Sequence, residues 1–334
     1  MKAIYLDKLV ASPDELRVRD APEPTLAPGQ VLVEVFAVGA NLFDILMVQG
    51  KYQIKPKLPF APGSEFAGVV LRVHPDVTRF RVGDRIFGAA SYGCYAERAA
   101  VDADRCLPVP GNLSFDEACG LYITWPTSYA ALKLRAKLQP GETCLVHAAA
   151  GGVGLAAVQL AKALGATVIA TAGSEEKLEV ARRYGADHVV NYRDPEWPKQ
   201  VRALTPKGRG VDVVYDPVGL LSSSLSCVAW SARLIVIGFA AGQIEKIPAN
   251  RILLKNASLI GLFWGAYEKN EPKVFFGIWN ELLPLFESGR VRPVLYNQRF
   301  IGLETMPAAL AAIAGRQSHG KVVVTVRKED RGRL

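Results

Sequence analysis

Histidine is scarce in this chain, four residues among 334, and the five cysteines (Cys94, Cys106, Cys119, Cys144, Cys227) are odd in number and widely spaced, with no CxxC pair. A disulfide framework or a structural zinc site needs closer pairing than that. Buried free thiols in a reducing compartment are the expectation. No apolar run approaches the roughly 20 residues that span a bilayer. Met1–Asp7 alternates like a strand instead of forming a signal-type apolar stretch, and Asp14, Glu15 and Asp20 make the region too acidic for an Arg-rich transit peptide. A cytoplasmic protein without membrane attachment follows as the expectation. Internal repeats and low-complexity segments are missing as well.

What is present is apolar content: 50% of the residues are hydrophobic and 22% charged, enough for substantial cores, and the length predicts two domains. The net charge of +8 is spread along the chain. Its densest part is the tail, where Arg327, Lys328, Arg331 and Arg333 bracket two acids and read as a frayed terminus. No RNA-reading motif accompanies the charge, so nucleic acid is a disfavoured partner. A polyanionic small molecule would use the same charge equally well.

The first third is β-rich. Apolar alternation runs through Val31–Val35, Gly68–Val73 and the Cys94 to Val101 region, and Pro28-Gly29, Pro62-Gly63 and Pro108–Gly111 punctuate it as turns. From about Thr124 the pattern changes to continuous apolar strands alternating with helix-length segments. Cys144–His147 precedes a helix from Gly152 to Leu164, and Thr167–Ala170 precedes one from Ser174 to Tyr184. His188–Val190, Val211–Tyr215, Leu234–Ile237 and a last strand from Ser258 to Phe263 continue the series. Such a series predicts a parallel sheet covered on both faces. One long amphipathic helix is expected after Pro272, through Phe276, Trp279, Leu283 and Phe286 to Gly289. A short strand, a helix from Ala308 to Ala314 and a closing strand from Lys321 to Val326 end the chain. These resemble the first third and are expected to fold back onto it.

The Cys144–His147 strand runs into Ala148-Ala149-Ala150-Gly151-Gly152-Val153-Gly154, where a helix starts. A glycine-rich turn between strand and helix lets backbone N–H groups approach a pyrophosphate at a helix N-terminus. Ala149 stands where the fingerprint's first glycine belongs, while Gly151 and Gly154 keep their places. Ala150, Gly151, Gly152 and Val153 are therefore candidate cofactor contacts. About 20 residues on, an NAD site places an acid on the ribose hydroxyls. This chain reads Thr171-Ala172-Gly173-Ser174, followed by Lys177, with Tyr192 ending the third strand. With no carboxylate to repel a 2′-phosphate, Gly173, Ser174, Lys177 and Tyr192 predict NADPH. The bland alternative makes Ser174 an N-cap and Lys177 a solvated helix residue.

Together these segments resemble the medium-chain dehydrogenase/reductases over nearly the full length. The likeness rests on Pro62–Gly68, Val82–Ile86, His147–Gly154 and Gly238–Gly242. Ile247–Asn250, Leu253–Asn256 and Gly261–Gly265 are similar to the quinone oxidoreductase, or zeta-crystallin-like, branch. The resemblance implies an α/β fold: a GroES-like β-rich domain over residues 1–123, completed by 267–334, and a Rossmann doubly wound parallel sheet over 124–266. Zinc alcohol dehydrogenases of the superfamily place a Cys and a Gly-His-Glu around the metal. Here Asn41 fills the place of the first ligand and Ser64 that of the histidine, so metal-free chemistry is expected. By the same resemblance Asn41, Asp44 and Tyr52 lie near the nicotinamide and the substrate, where an amide or phenol can donate to an oxygen gaining charge. Thr127, Gly238, Phe239, Phe263 and Gly265 join the cofactor contacts. Tyr129 and Lys133 have the Tyr-x-x-x-Lys spacing of short-chain dehydrogenases but precede the glycine loop, so they read as chance helix content.

Without a Lewis acid the acceptor must already be electrophilic, which implies NADPH-dependent reduction of a quinone. An enoyl- or acrylyl-type C=C reductase is the alternative on the same scaffold, because pocket shape sets the acceptor. A crystallin-like or RNA-binding role is the reading from another class. The resemblance also implies a homodimer paired along the sheet edge at Ser258–Gly265.

Overall fold

The structure, a computed structural model, describes residues 1–328. Arg331 and Arg333 of the basic tail lie outside the described residues. Arg327 does not fray: its guanidinium reaches Glu34 Oε1 at 2.5 Å and its N–H bonds to Phe36. The chain divides into two compact units, Met1–Ile123 with Pro293–Leu334, and Thr124–Arg292.

In the first unit, strand Gln30–Gly39 is the spine. It pairs antiparallel with Glu65–Val73 on one side and with Val323–Thr325 on the other, and its first half also pairs with Arg98–Asp102. Alternation drives this pairing. Val31, Val33, Val35 and Val38 are fully buried, together with Phe66, Val70 and Ile86 from the neighbouring strands. The closing strand does return to the first third, in register Val323 to Gly39. Helix Met306–Ala314 covers the same core with Met306, Ala309 and Leu310.

The second unit is a six-stranded parallel sheet. Its spatial order is His188–Asn191, Thr167–Ala172, Thr143–Val146, Val211–Asp216, Val228–Val236, Ser258–Gly261. In chain order that is 3-2-1-4-5-6, the doubly wound dinucleotide arrangement. Both central strands, Thr143–Val146 and Val211–Asp216, are buried at every position, as apolar runs covered on two faces must be.

Several expectations need correcting. The return to the first unit falls at residue 293, not 267. The segment between packs on the parallel-sheet unit: Trp125 meets Phe286 edge-on at 4.7 Å, Tyr129 donates to Glu281, and the Gln159 side-chain amide bonds both ways to the Arg292 backbone at 3.0 Å. The long helix is also two pieces, Pro272–Gly277 and Trp279–Glu287. Its buried stripe is Phe275, Ile278, Trp279, Leu282 and Phe286, with Phe276 exposed. The periodic pattern alone could not choose between adjacent phenylalanines. The strand expected to reach Phe263 stops at Gly261.

Candidate active site

The glycine loop is shaped by what lacks a side chain. His147 N–H continues the strand by bonding to Tyr215 O, and Ala148 then takes a positive φ of 45°. Ala149, the residue in the first glycine's place, is fully buried with its N–H on Thr171 O at 2.9 Å. The turn tolerates a methyl there because Ala148 carries the unusual backbone angle. Gly154 has no such freedom: a Cβ on it would lie 2.3 Å from Ala148 O and 2.8 Å from Ala149 Cα. Helix Gly152–Ala163 therefore packs its first turn directly on the loop backbone, with Gly151 as its extended N-cap. Its first amides have no partner within the helix, which makes this end a cradle for a phosphate. Ser128, one residue after Thr127, lies 2.8 Å from Val153 O and 2.9 Å from the Tyr215 hydroxyl. Thr127 itself is half-buried on helix Leu121–Tyr129.

Beneath the loop sits a histidine with no catalytic freedom. His147 is fully buried between Thr171 Oγ1 at 2.7 Å and Ser224 Oγ at 2.8 Å. Ser224 donates its hydrogen to Leu220 O, so His147 Nε2 carries the proton and Nδ1 accepts from Thr171. Burial drives its pKa down to about 4, against the opposing pull of Asp216. It is a neutral staple between strand and helix.

Strand Thr167–Ala172 leads into Gly173, where two side chains that follow the third strand come close. A Cβ on Gly173 would meet Tyr192 Oη at 3.4 Å and Arg193 Nε at 3.0 Å. Nothing in the sequence singles out Arg193, since exposed arginines are common and no local pattern marks its direction. Ser174 is the N-cap of helix Glu175–Arg183 by position, but its hydroxyl makes no capping bond. Glu175 and Glu176 are exposed on the first turn beside half-buried Lys177. Farther along the sheet, Gly238 and Phe239 follow strand Val228–Val236, where Ala240 N–H bonds to Pro217 O. Phe239 and Phe263 are exposed, and Gly265 lies beside the Phe263 ring. Tyr129 donates to Glu281, while Lys133 is exposed, so their spacing joins no common site.

The first unit holds a buried polar cluster where the sequence placed Asn41 and Asp44. Asn41 precedes helix Leu42–Val48, and the Asp44 carboxylate takes the Asn41 N–H at 2.9 Å. Asp44 also accepts from Tyr95 Oη at 2.7 Å and from Ser64 Oγ at 3.2 Å. Burial pushes its pKa up to about 6, although the Tyr95 bond, the Lys321 charge and the Asn41 amide all pull the other way. Gly63, with φ 95°, makes the room: a Cβ there would fall 2.2 Å from Tyr95 Cδ1. Asn41 Nδ2 donates to Glu65 Oε2 at 3.0 Å, and Lys321 Nζ donates to Asn41 Oδ1 at 2.7 Å and to Glu65. Glu65, Tyr95 and Lys321 are not among the residues expected at the site. Tyr52 stands apart from this network, half-buried and stacked on Phe43 at 5.3 Å. Burial raises its phenol pKa, and the Asp44 charge adds to that.

The Asn41 amide and the Ser64 hydroxyl, which the resemblance sets in the places of zinc ligands, are thus hydrogen-bonded within the protein. Neither group suits zinc. No group of three His, Cys, Asp or Glu side chains among the described residues is arranged to hold a metal ion. All five cysteines are free and buried, and burial pushes Cys144 and Cys227 up to about 12.

Comparison with known proteins adds the following. Residues 27–111 match the family described as alcohol dehydrogenase GroES-like domain, and residues 152–285 the family described as zinc-binding dehydrogenase. The chain is 39% identical over 307 residues to quinone oxidoreductase-like protein 2 homolog of Nematostella vectensis, covering 91% of this chain and 83% of that protein. It is 35% identical over 300 residues to quinone oxidoreductase of Mus musculus, covering 88% and 89%. Among solved structures, the quinone oxidoreductase of Thermus thermophilus, described together with its complex with NADPH, superposes with a TM-score of 0.83 at 35% identity, covering 97% of this chain and all of that one (100%).

Proposed function

Since the chain belongs to the quinone oxidoreductase branch of the medium-chain dehydrogenase/reductases, we propose that this oxidoreductase uses NADPH to reduce quinones without a metal ion. The observation that carries the reading is the acid-free end of strand Thr167–Ala172. Gly173 there is faced by the Tyr192 hydroxyl and Arg193, beside the uncommitted hydroxyl of Ser174. A 2′-phosphate carries close to two negative charges near neutral pH, and a guanidinium, a phenol and a serine hydroxyl are the donors it calls for.

The glycine loop supports the same cofactor. The first amides of helix Gly152–Ala163, at Gly152 and Val153 beside Gly151, would hold the pyrophosphate, and Gly154 lets the helix approach the loop. When bound, NADPH supplies the hydride that an electrophilic acceptor takes up. Donors of the protein serve the acceptor oxygen as it gains charge: the second amide hydrogen of Asn41 and the phenol of Tyr52. Asp44 holds Asn41 at the helix start and is itself held by Tyr95 and Ser64. With its pKa raised only to about 6, Asp44 is mostly ionised at neutral pH and accepts from the Asn41 amide, Tyr95 and Ser64 as a carboxylate. Free buried thiols fit a reducing, cytoplasmic setting, and the exposed edge strand Ser258–Gly261 fits a homodimer.

The test is steady-state oxidation of NADPH and of NADH against a panel of quinones and enones, with and without chelator. We expect quinone turnover with NADPH, unchanged by chelator, in protein that carries no stoichiometric zinc by elemental analysis. Turnover of enones alone moves the assignment to a C=C reductase. One zinc per chain in active protein, or equal use of NADH, sinks the reading.

A further inference from the structure

Lys321 lies in the chain 280 residues from Asn41, yet its ammonium is buried against that residue's amide. The lysine is built in. A Cβ on Gly120 would fall 2.5 Å from Lys321 Cγ, and one on Gly39 would fall 2.9 Å from both Lys321 Cε and Glu65 Oε2. Two glycines thus clear the passage through which its stem is threaded. Its backbone is pinned at the same time, with N–H on Val294 O at 2.7 Å and its carbonyl accepting from Tyr296. Glu65, fully buried, closes the triangle: Oε2 takes Lys321 and Asn41 Nδ2, and Oε1 takes the Ile123 N–H at 2.8 Å.

From this triangle we infer that Lys321 and Glu65 are positioning residues that set which way the Asn41 amide points. An ammonium offers only hydrogens and a carboxylate only lone pairs. With Oδ1 toward Lys321 and Nδ2 toward Glu65 both contacts are attractive. Rotating the amide by half a turn would set N–H against ammonium and oxygen against carboxylate, in a site too dry to screen either clash. One Nδ2 hydrogen is committed to Glu65, and the other is the one amide hydrogen left to serve the acceptor. Burying an ion pair is a costly way to gain stability alone. Here the pair also fixes a hydrogen-bond polarity that a simple apolar core cannot. This role rests on the reading that Asn41 serves the acceptor.

Removing the charge of Lys321 alone would strand the Glu65 carboxylate and unfold part of the unit, so the informative variant neutralises both. When Lys321→Met is combined with Glu65→Gln, the introduced side-chain carbonyl keeps the Ile123 amide. The introduced NH2 then faces Asn41 and recruits Oδ1. The Asn41 amide turns over: its Oδ1 keeps a partner in the introduced NH2, and its own NH2 turns toward the introduced methionine side chain, where no ammonium opposes it. We expect a thermal midpoint close to wild type, an NADPH Kd within about twofold, and a kcat for quinone lower by roughly tenfold or more, the usual scale for a misaligned donor. Lys321→Arg, which preserves charge and donors, should recover the larger part of kcat. In an Asn41→Ala background the neutral pair should add less than about twofold, since the two act through one group.

A second readout needs no turnover. In full-length protein labelled with nitrogen-15 at asparagine side chains, the Asn41 amide is identified by its loss in Asn41→Asp. One of its two hydrogens should be protected from exchange in wild type and in Lys321→Arg, and this protection should be lost in the neutral pair. Unchanged protection, or losses of kcat that multiply with Asn41→Ala, overturns the assignment. A wild type that reduces no quinone or enone yet shows the expected protection pattern instead sinks the functional reading and leaves the amide orientation standing.

Discussion

Gly173 shows how much a missing side chain can decide. Tyr192 and Arg193 approach to within van der Waals distance of where its Cβ would be, so an alanine there would have to push one of them aside. Lys177, expected from the sequence as the point charge, stands on the first turn of the helix that follows. Loss of one charge-assisted hydrogen bond costs roughly 1.5–3 kcal/mol, about ten- to hundredfold in binding. Arg193→Ala and Lys177→Ala should each weaken NADPH on that scale and leave NADH within about twofold, and Tyr192→Ala should act in the same direction but less. Fluorescence titration with both nucleotides checks this. Equal losses for the two would show that these side chains do not meet the 2′-phosphate.

Among the elements, the strand end at His147 is the one whose stability depends most clearly on pH. A histidine has an ordinary pKa near 6.5, and burial holds this one down to about 4. The unfolded chain therefore binds the proton first. The stability that neutral His147 contributes is intact above about pH 6.5 and is lost as pH falls toward 4. Asp44 has the opposite sign. Its pKa rises from 3.8 unfolded to about 6 folded, so its contribution is fully present below 3.8 and is lost as pH rises through 6. Between pH 6.5 and 4 the two partly cancel. Asp44→Asn should then lose stability on acidification more steeply than wild type, while His147→Gln should lose less. Urea midpoints at about pH 7.5, above both transitions, and at about pH 5, within both, measure this. Parallel curves for all three proteins would refute the account.

At the scale of the whole molecule, one sheet edge is left apolar. Among the described residues, strand Ser258–Gly261 pairs only with Val228–Val236, and Leu259 on it is 43% exposed. The helix just before it ends in Leu253 and Leu254, 77% and 72% exposed, and Ser231 joins this segment through Lys255 O, with Trp230 exposed beside it. An unprotected edge of this composition favours association. The proposed homodimer places a second copy there. Light scattering should give twice the chain mass for wild type and the monomer mass for Leu259→Lys; wild type at monomer mass at working concentration would dismiss it. No helix among the described residues is long and apolar enough to cross a membrane.

The sequence by itself was sufficient for the alternation of strands and helices, the sheet class, the glycine loop and the acid-free end of the second strand. Each depends on neighbours in the chain: periodicity decides which face is apolar, and local sterics decide where a glycine must stand. It also placed Asn41 and Asp44 as candidates, through resemblance and not through any property of the residues alone. Tertiary structure decided the rest. The return to the first unit at residue 293, the inward phenylalanine at 275 in place of 276, and the aim of Arg193 at Gly173 depend on what each side chain meets. Lys321 is the clearest case. In sequence it is one of 40 basic residues, and only the pairing of Val323–Thr325 with Gln30–Gly39 carries it to Glu65 and Asn41. Desolvation and pairing become defined only once distant segments have met, which is why a buried ion pair is invisible in the order of the residues that make it.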